Sequence, residues 1–166
     1  MTGVQTCALP ISRNELQAAT FRLRGASRIR LLLAPSGAVA IEVAPMPAMP
    51  ETPVAVTIAP LPVAPDDFRL RHKTSDRAFY DSARQGFETV FEVDGQLTEG
   101  SFTNLFVERG GVLLTPPLSA GLLPGILRAE LIESGRAVEA TLTRADLKHG
   151  FFVGNALRGL IPATLV

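Results

Sequence analysis

Gly110-Gly111 sits between two apolar runs, "NLFV" and "VLLTP". Adjacent glycines supply the positive φ angles of a tight hairpin turn, so "NLFVERGGVLLTP" reads as two antiparallel strands. Shortly afterwards, in "PGILRAELIESG", the apolar spacing becomes helical, and Gly135 ends the run. A hairpin feeding a helix rules out an all-helical bundle. The same mixture recurs: "TVFEVDGQLTEG" carries an Asp-Gly turn, "VEATLT" and "FFVG" are strands, and "NALRGLIPATLV" closes the chain. Helices interspersed with short hairpins predict an α+β fold rather than a doubly wound sheet.

Upstream, residues 13–24 read as a short helix with Leu16, Ala19 and Leu23 near one face. Arg28–Ala34 and Ala38–Ala44 form a hairpin about Pro-Ser-Gly, and "PMPAMPETP" reads as a linker. "VAVTIA" is a strand, and Thr74–Gly86 is expected to be a helix. On that helix Phe79, Ala83 and Phe87 share one face, while Lys73, Arg77, Tyr80 and Arg84 share another.

The first residues fit none of this. "MTGVQTCALPI" has no periodicity, no basic leader and no apolar core, so it is not a signal peptide. Read back into codons, with GTG as the start, it matches a common short-read sequencing adapter. Residues 1–11 are therefore expected to be an artefact joined to the middle of a gene. The domain reading is 1–11 artefact, 12–47 remnant of a small domain, and 48–166 a large domain.

Charge and metal ligands narrow the function. Basic and acidic residues balance at 16 each, so no basic field awaits nucleic acid. Two His and one Cys leave neither a metal-ligand cluster nor a disulfide framework. No run is long enough to cross a membrane, and a cytoplasmic location is expected. Lys73 and Lys148 are the only lysines, so chemistry that needs a primary amine has two candidates.

Four stretches carry potential chemistry. Lys73 lies in "RLRHKTSDRAFY", where Arg71 and His72 crowd it with positive charge and favour the nucleophilic neutral amine. A solvated basic turn is the plainer alternative. Glu99, in "LTEGSFTNLFV", could pair with a protonated ring nitrogen or could be a turn residue. Pro124-Gly125-Ile126 opens a helix, where proline is ordinary punctuation. The free amides of Ile126 and Leu127 there could also bind an anion. Gly154, Asn155 and Ala156, in "FFVGNALRG", could offer amides and a side-chain donor to the same anion.

Together and in this order, these stretches resemble one family. Glu99, Ser101, Asn104-Leu105-Phe106, Leu113, Thr115, Leu123, Gly125-Ile126 and Arg128 reproduce the signature of the class IV (fold type IV) pyridoxal-phosphate enzymes. These include branched-chain aminotransferases, D-amino-acid aminotransferases and aminodeoxychorismate lyases. "RHKTSDRAFYDSAR" and "FFVGNALRGLIPA" are most similar to the lyases, in particular to the lyase portion fused behind a chorismate-amination component. Aminotransferases of the family tend to carry an Asn-Tyr pair after the lysine and a Thr where this chain has Asn155.

The resemblance implies a fold type IV large cofactor domain plus a remnant of the small one. It implies pyridoxal 5'-phosphate as cofactor, bonded covalently to Lys73, the catalytic residue, with Glu99 on its ring nitrogen. Gly125, Ile126, Leu127, Asn155 and Ala156 would hold the phosphate. Arg158 and Arg77 are candidates for a substrate carboxylate, and an ordinary ion pair is the alternative for Arg158. The implied reaction turns 4-amino-4-deoxychorismate into pyruvate and 4-aminobenzoate, a folate precursor. Branched-chain or D-amino-acid transamination is the alternative within the family, and an inert fragment is the alternative outside it. Family members are about twice this length and supply a phosphate-binding arginine from the part absent here. The parent would be a homodimer or fused to its chorismate-amination partner.

Overall fold

The computed structural model describes residues 13–166; the adapter reading of residues 1–11 lies outside them. The chain divides into two compact units, one ending at Met49 and one spanning Pro50–Val166.

The first unit holds helix α1 (13–20 among the described residues) and a hairpin of β1 (Ser27–Leu33) and β2 (Val39–Pro45). The strands pair antiparallel from Ser27↔Pro45 to Leu33↔Val39, and the turn closes with Ala34 N–H donating to Ala38 O. None of its described residues is fully buried.

The second unit is built on eight strands: β3 (Val54–Pro60), β4 (Glu88–Val93), β5 (Gln96–Gly100), β6 (Asn104–Arg109), β7 (Val112–Thr115), β8 (Ala137–Glu139), β9 (Phe151–Asn155) and β10 (Gly159–Leu165). The sheet runs β5-β4-β3-β10-β9-β6-β7-β8, and β5 also pairs with β6. That last pairing closes six strands into a ring, with β7 and β8 as an extension. Closure removes the open edges that a flat sheet of this size would present.

Alternation along the strands sorts the core. Val54, Val56, Val90, Leu97, Leu105, Val107, Val153 and Ile161 point into the ring and pack together. On the outer face, Phe106 packs with Leu131 and Ala137 under helix α4 (Ile126–Glu133). Elsewhere on that face Phe91 packs with Leu70 and Tyr80 from α2 (Phe68–Arg71) and α3 (Ala78–Ala83). The Gly110-Gly111 turn has φ of 62° and 82°, as the hairpin requires.

The helix expected over Thr74–Gly86 is not one element. Residues 72–77 are not helical, and α3 begins only at Ala78 with Arg77 as its N-cap. Short polar side chains compete with the helix there: Thr74 Oγ1 donates to Asp76 O, and Asp76 is drawn to Arg69 at 2.9 Å. Lys73 therefore lies ahead of the helix, not on its face.

Candidate active site

Register decides where Glu99 points. Val90 pairs with Gly100, yet Glu92 pairs with Leu97, so β5 carries one extra residue opposite Phe91. Leu97 faces the interior. Without the slip Glu99, two residues on, would face it too. The bulge turns Glu99 to the outer face, beside Phe91 and Tyr80.

Glu99 also sits at the seam of the ring. It pairs with Asn104 on β6, and Asn104 pairs with Gly154 on β9. These three residues make a row across the outer face. The N-terminus of α4 lies over the row so closely that a Cβ on Gly125 would sit 2.0 Å from Asn104 Oδ1. A Cβ on Gly154 would meet Gly159 O at 2.7 Å and Leu127 Cδ2 at 3.0 Å. Both positions therefore need glycine for close approach rather than for backbone conformation. Asn104 fixes the contact by donating from Nδ2 to Leu123 O at 3.1 Å.

The first bond inside α4 runs from Ala129 N–H to Gly125 O. The amides of Ile126, Leu127 and Arg128 have no acceptor within the helix, and no side chain caps it. Arg128 is buried and anchors the helix instead, donating to Pro116 O at 2.8 Å and pairing with Glu139.

Glu99 is 2% exposed, and Tyr80 is its one side-chain donor among the described residues, its O–H 2.7 Å from Oε1. Burial pushes the Glu99 carboxyl up to about 7, against the opposing pull of Tyr80, the Leu123 backbone and Arg77. Burial, with Glu99 next to it, raises the Tyr80 phenol as well, so Tyr80 acts as a donor.

The β5–β6 turn rests on a second glutamate. Glu88 is fully buried and accepts five hydrogen bonds, from the amides of Thr89, Ser101 and Phe102 and the hydroxyls of Ser101 and Thr103. A Cβ on Gly100 would come within 2.6 Å of its Oε2. Glu88 belongs to none of the four stretches singled out from sequence. The density of hydroxyls and small residues in "GSFT" was the available signal.

Three arginines surround the same turn. Arg77 donates to Ser101 O at 3.2 Å and lies over the Tyr80 ring, 4.6 Å from its centroid. Arg84 and Arg158 each approach the Phe102 ring, at 5.6 and 5.8 Å. None of the three forms an ion pair among the described residues, and Arg77 Nη1 and Arg158 Nε are buried without partners.

Of the residues singled out from sequence, Glu99, Gly125, Ile126, Leu127 and Gly154 are thus gathered on one face. Asn155 joins them, but its carboxamide braces its own turn. Nδ2 donates to Phe102 O at 3.2 Å, and Oδ1 accepts the Leu157 and Arg158 amides at 3.0 Å. Ala156 is exposed at the tip of that turn. Lys73 is exposed between α2 and α3 and makes no hydrogen bond among the described residues; Lys148 is exposed elsewhere. The described residues contain no group of side chains able to hold a metal and no helix long and apolar enough to cross a membrane.

Comparison with known proteins places the chain in a family. The family model for class IV amino-transferases matches residues 6–166. A solved Mesorhizobium loti protein, described as an amino-acid aminotransferase, superimposes with a TM-score of 0.85 at 38% identity, covering 98% of this chain and 88% of that one. A Schizosaccharomyces pombe protein, described as an aminodeoxychorismate lyase, is 26% identical over 155 residues, 84% of this chain and 67% of its own length. The branched-chain-amino-acid aminotransferase of Escherichia coli K12 is 34% identical over 74 residues, which is 40% of this chain and 24% of that enzyme.

Proposed function

The chain belongs to the class IV aminotransferase family, whose members use pyridoxal phosphate, and from that premise we propose that it is the cofactor-binding part of a 4-amino-4-deoxychorismate lyase. The residues fit the cofactor. A buried carboxylate with one side-chain donor suits a protonated ring nitrogen, and uncapped helix amides suit a phosphate. Glycines clear the floor between them. Lys73 is the amine within the matching motif.

The substrate rests on one observation: Arg77, Arg84 and Arg158 approach the Ser101–Phe102 turn with no carboxylate partner among the described residues. A branched-chain amino acid asks for apolar walls beyond its single carboxylate. 4-Amino-4-deoxychorismate carries two carboxylates, for which guanidinium groups are suited donors.

Bound pyridoxal phosphate supplies an electron sink conjugated to the substrate carbon that bears the amine. Glu99 would hold the proton at the ring nitrogen. The Ile126 and Leu127 amides fix the phosphate end. Lys73 would remove the proton from the ring carbon carrying nitrogen. The bond from the neighbouring ring carbon to the enolpyruvyl oxygen then breaks, and the proton count closes on the methylene carbon of the departing group. The products are 4-aminobenzoate and pyruvate, with no water consumed. The arginines orient the carboxylates and hold the planar ring beside Phe102.

The test supplies 4-amino-4-deoxychorismate to the cofactor-loaded protein and assays both products. Pyruvate and 4-aminobenzoate in equal amounts, with borohydride trapping the cofactor on Lys73, are expected. Amino transfer from leucine to 2-oxoglutarate without an aromatic product establishes the second reading, which the identity to the E. coli aminotransferase favours.

A further inference from the structure

The α2–α3 segment reaches the Glu99 carboxylate through a residue that neither the motif nor the proposed reaction requires. Tyr80 is fully buried, and its ring stacks on Phe91 with centroids 4.9 Å apart. That packing fixes the direction of the phenol, whose O–H donates to Glu99 Oε1 at 2.7 Å. Arg77 also lies over the phenol ring, 4.6 Å from its centroid. We propose that Tyr80 is a positioning residue for the ring-nitrogen partner: it holds one oxygen of Glu99 and presents the carboxylate to the cofactor's pyridine nitrogen. The inference rests on the reading of the site as a pyridoxal-phosphate site.

A donor to a carboxylate stabilises its ionised form, which is the form that pairs with a protonated ring. The titratable and charged groups facing Glu99 are Tyr80 and Arg77 from the segment beneath it and Glu88 from β4. Of these, only Tyr80 donates to it directly among the described residues. The bulge in β5 supplies the other half of the arrangement, because it brings Glu99 to the face that Tyr80 occupies.

Tyr80→Phe removes the hydroxyl and keeps the ring. The Glu99 carboxyl is followed by carbon-13 NMR in cofactor-free protein, assigned by its absence in Glu99→Gln. Its midpoint, about 7 in the parent, is expected to rise by about one to two pH units in Tyr80→Phe. Phe79→Leu, which disturbs the neighbouring ring and leaves the hydroxyl, is expected to leave the midpoint in place. At pH 8, Tyr80→Phe should also narrow the preference for pyridoxal phosphate over its deaza analogue, which has carbon in place of the ring nitrogen, by roughly three- to ten-fold. An unmoved midpoint, an equal shift in Phe79→Leu, or an unchanged preference overturns the proposal. A parent protein that binds neither compound overturns the proposed function and the ring-nitrogen role together. The titration alone still reports whether Tyr80 governs Glu99.

Discussion

Glu88 and Glu99 lie on neighbouring strands, and both are sealed from solvent, at 0% and 2% exposure. Glu88 accepts five hydrogen bonds, three from amides and two from hydroxyls, whereas Glu99 has one side-chain donor, Tyr80, beside the Leu123 backbone. Burial alone therefore says little about what a carboxylate is for. A buried carboxylate costs several kcal/mol unless its lone pairs are met. Around Glu88 the chain meets them itself, so Glu88 knits the β5–β6 turn. Around Glu99 it meets fewer of them, and under the proposed function a protonated ring nitrogen would take the remaining place. The first glutamate builds the loop; the second is held by Tyr80 from α3.

The largest expected effect breaks the knitted side. Glu88→Ala removes the acceptor of three backbone amides and two hydroxyls in a dry environment; of these the Ser101 amide keeps a second acceptor, Thr89 O at 3.1 Å. Each loses about 1–3 kcal/mol if it finds no new partner. A loss on the order of 4 kcal/mol or more is expected, near the whole margin of a typical domain. Thermal melts followed by circular dichroism would read it. A variant melting within a few degrees of the parent would mean that water fills the cradle and that Glu88 does not organise the turn.

What the sequence disclosed, and what it hid, follows the same division. Local signals were legible: the Gly110-Gly111 hairpin, the Asp94-Gly95 turn and the helix from Ile126 to Glu133, stopped before Gly135, depend on residues close in the chain. The ring was not legible, because its closure rests on the pairing of Glu99 with Asn104 and on the bulge opposite Phe91. A one-residue slip leaves no mark in composition or period. The helix expected over Thr74–Gly86 begins only at Ala78, because helical period carries no trace of the bonds that Thr74 and Asp76 make outside a helix. Glu99 and the α4 amides were visible through their motif. Glu88 and Tyr80 were not, since the partners that give them meaning come from separate strands and loops.

The next effect has the opposite sign and changes with pH. The Glu99 carboxyl is raised from 4.5 to about 7, so the folded state binds its proton more tightly than the unfolded state does. That contribution is fully present below pH 4.5 and is lost as the pH rises through about 7. Glu99→Gln is permanently neutral and can still accept from Tyr80. In cofactor-free protein it is expected to match the parent near pH 4 and to be more stable at pH 8 by up to about 3 kcal/mol. Urea denaturation at the two pH values would show this, alongside weaker binding of pyridoxal phosphate. A variant less stable than the parent at pH 8 would place Glu99 with Glu88 among the satisfied carboxylates.

The smallest effect asks whether the two glutamates are separate systems. Thr103 donates to Glu88 Oε2 at 2.7 Å and is itself buried. Thr103→Val keeps the shape of the side chain and removes one donor of five, so a loss of about 1–2 kcal/mol is expected. Glu88 is the weakest of the influences on the Glu99 carboxyl, behind burial, Tyr80, Leu123 and Arg77. The Glu99 midpoint should accordingly stay within a few tenths of a pH unit of the parent in Thr103→Val, and pyridoxal phosphate affinity should hold. Denaturation and the Glu99 titration are measured on the same protein. A midpoint shift as large as that of Tyr80→Phe would make the two carboxylates one coupled network, sharing donors across the turn. In that case the scaffold and the site could not be altered independently, and the loop that Glu88 builds would set the charge that Glu99 offers to the cofactor.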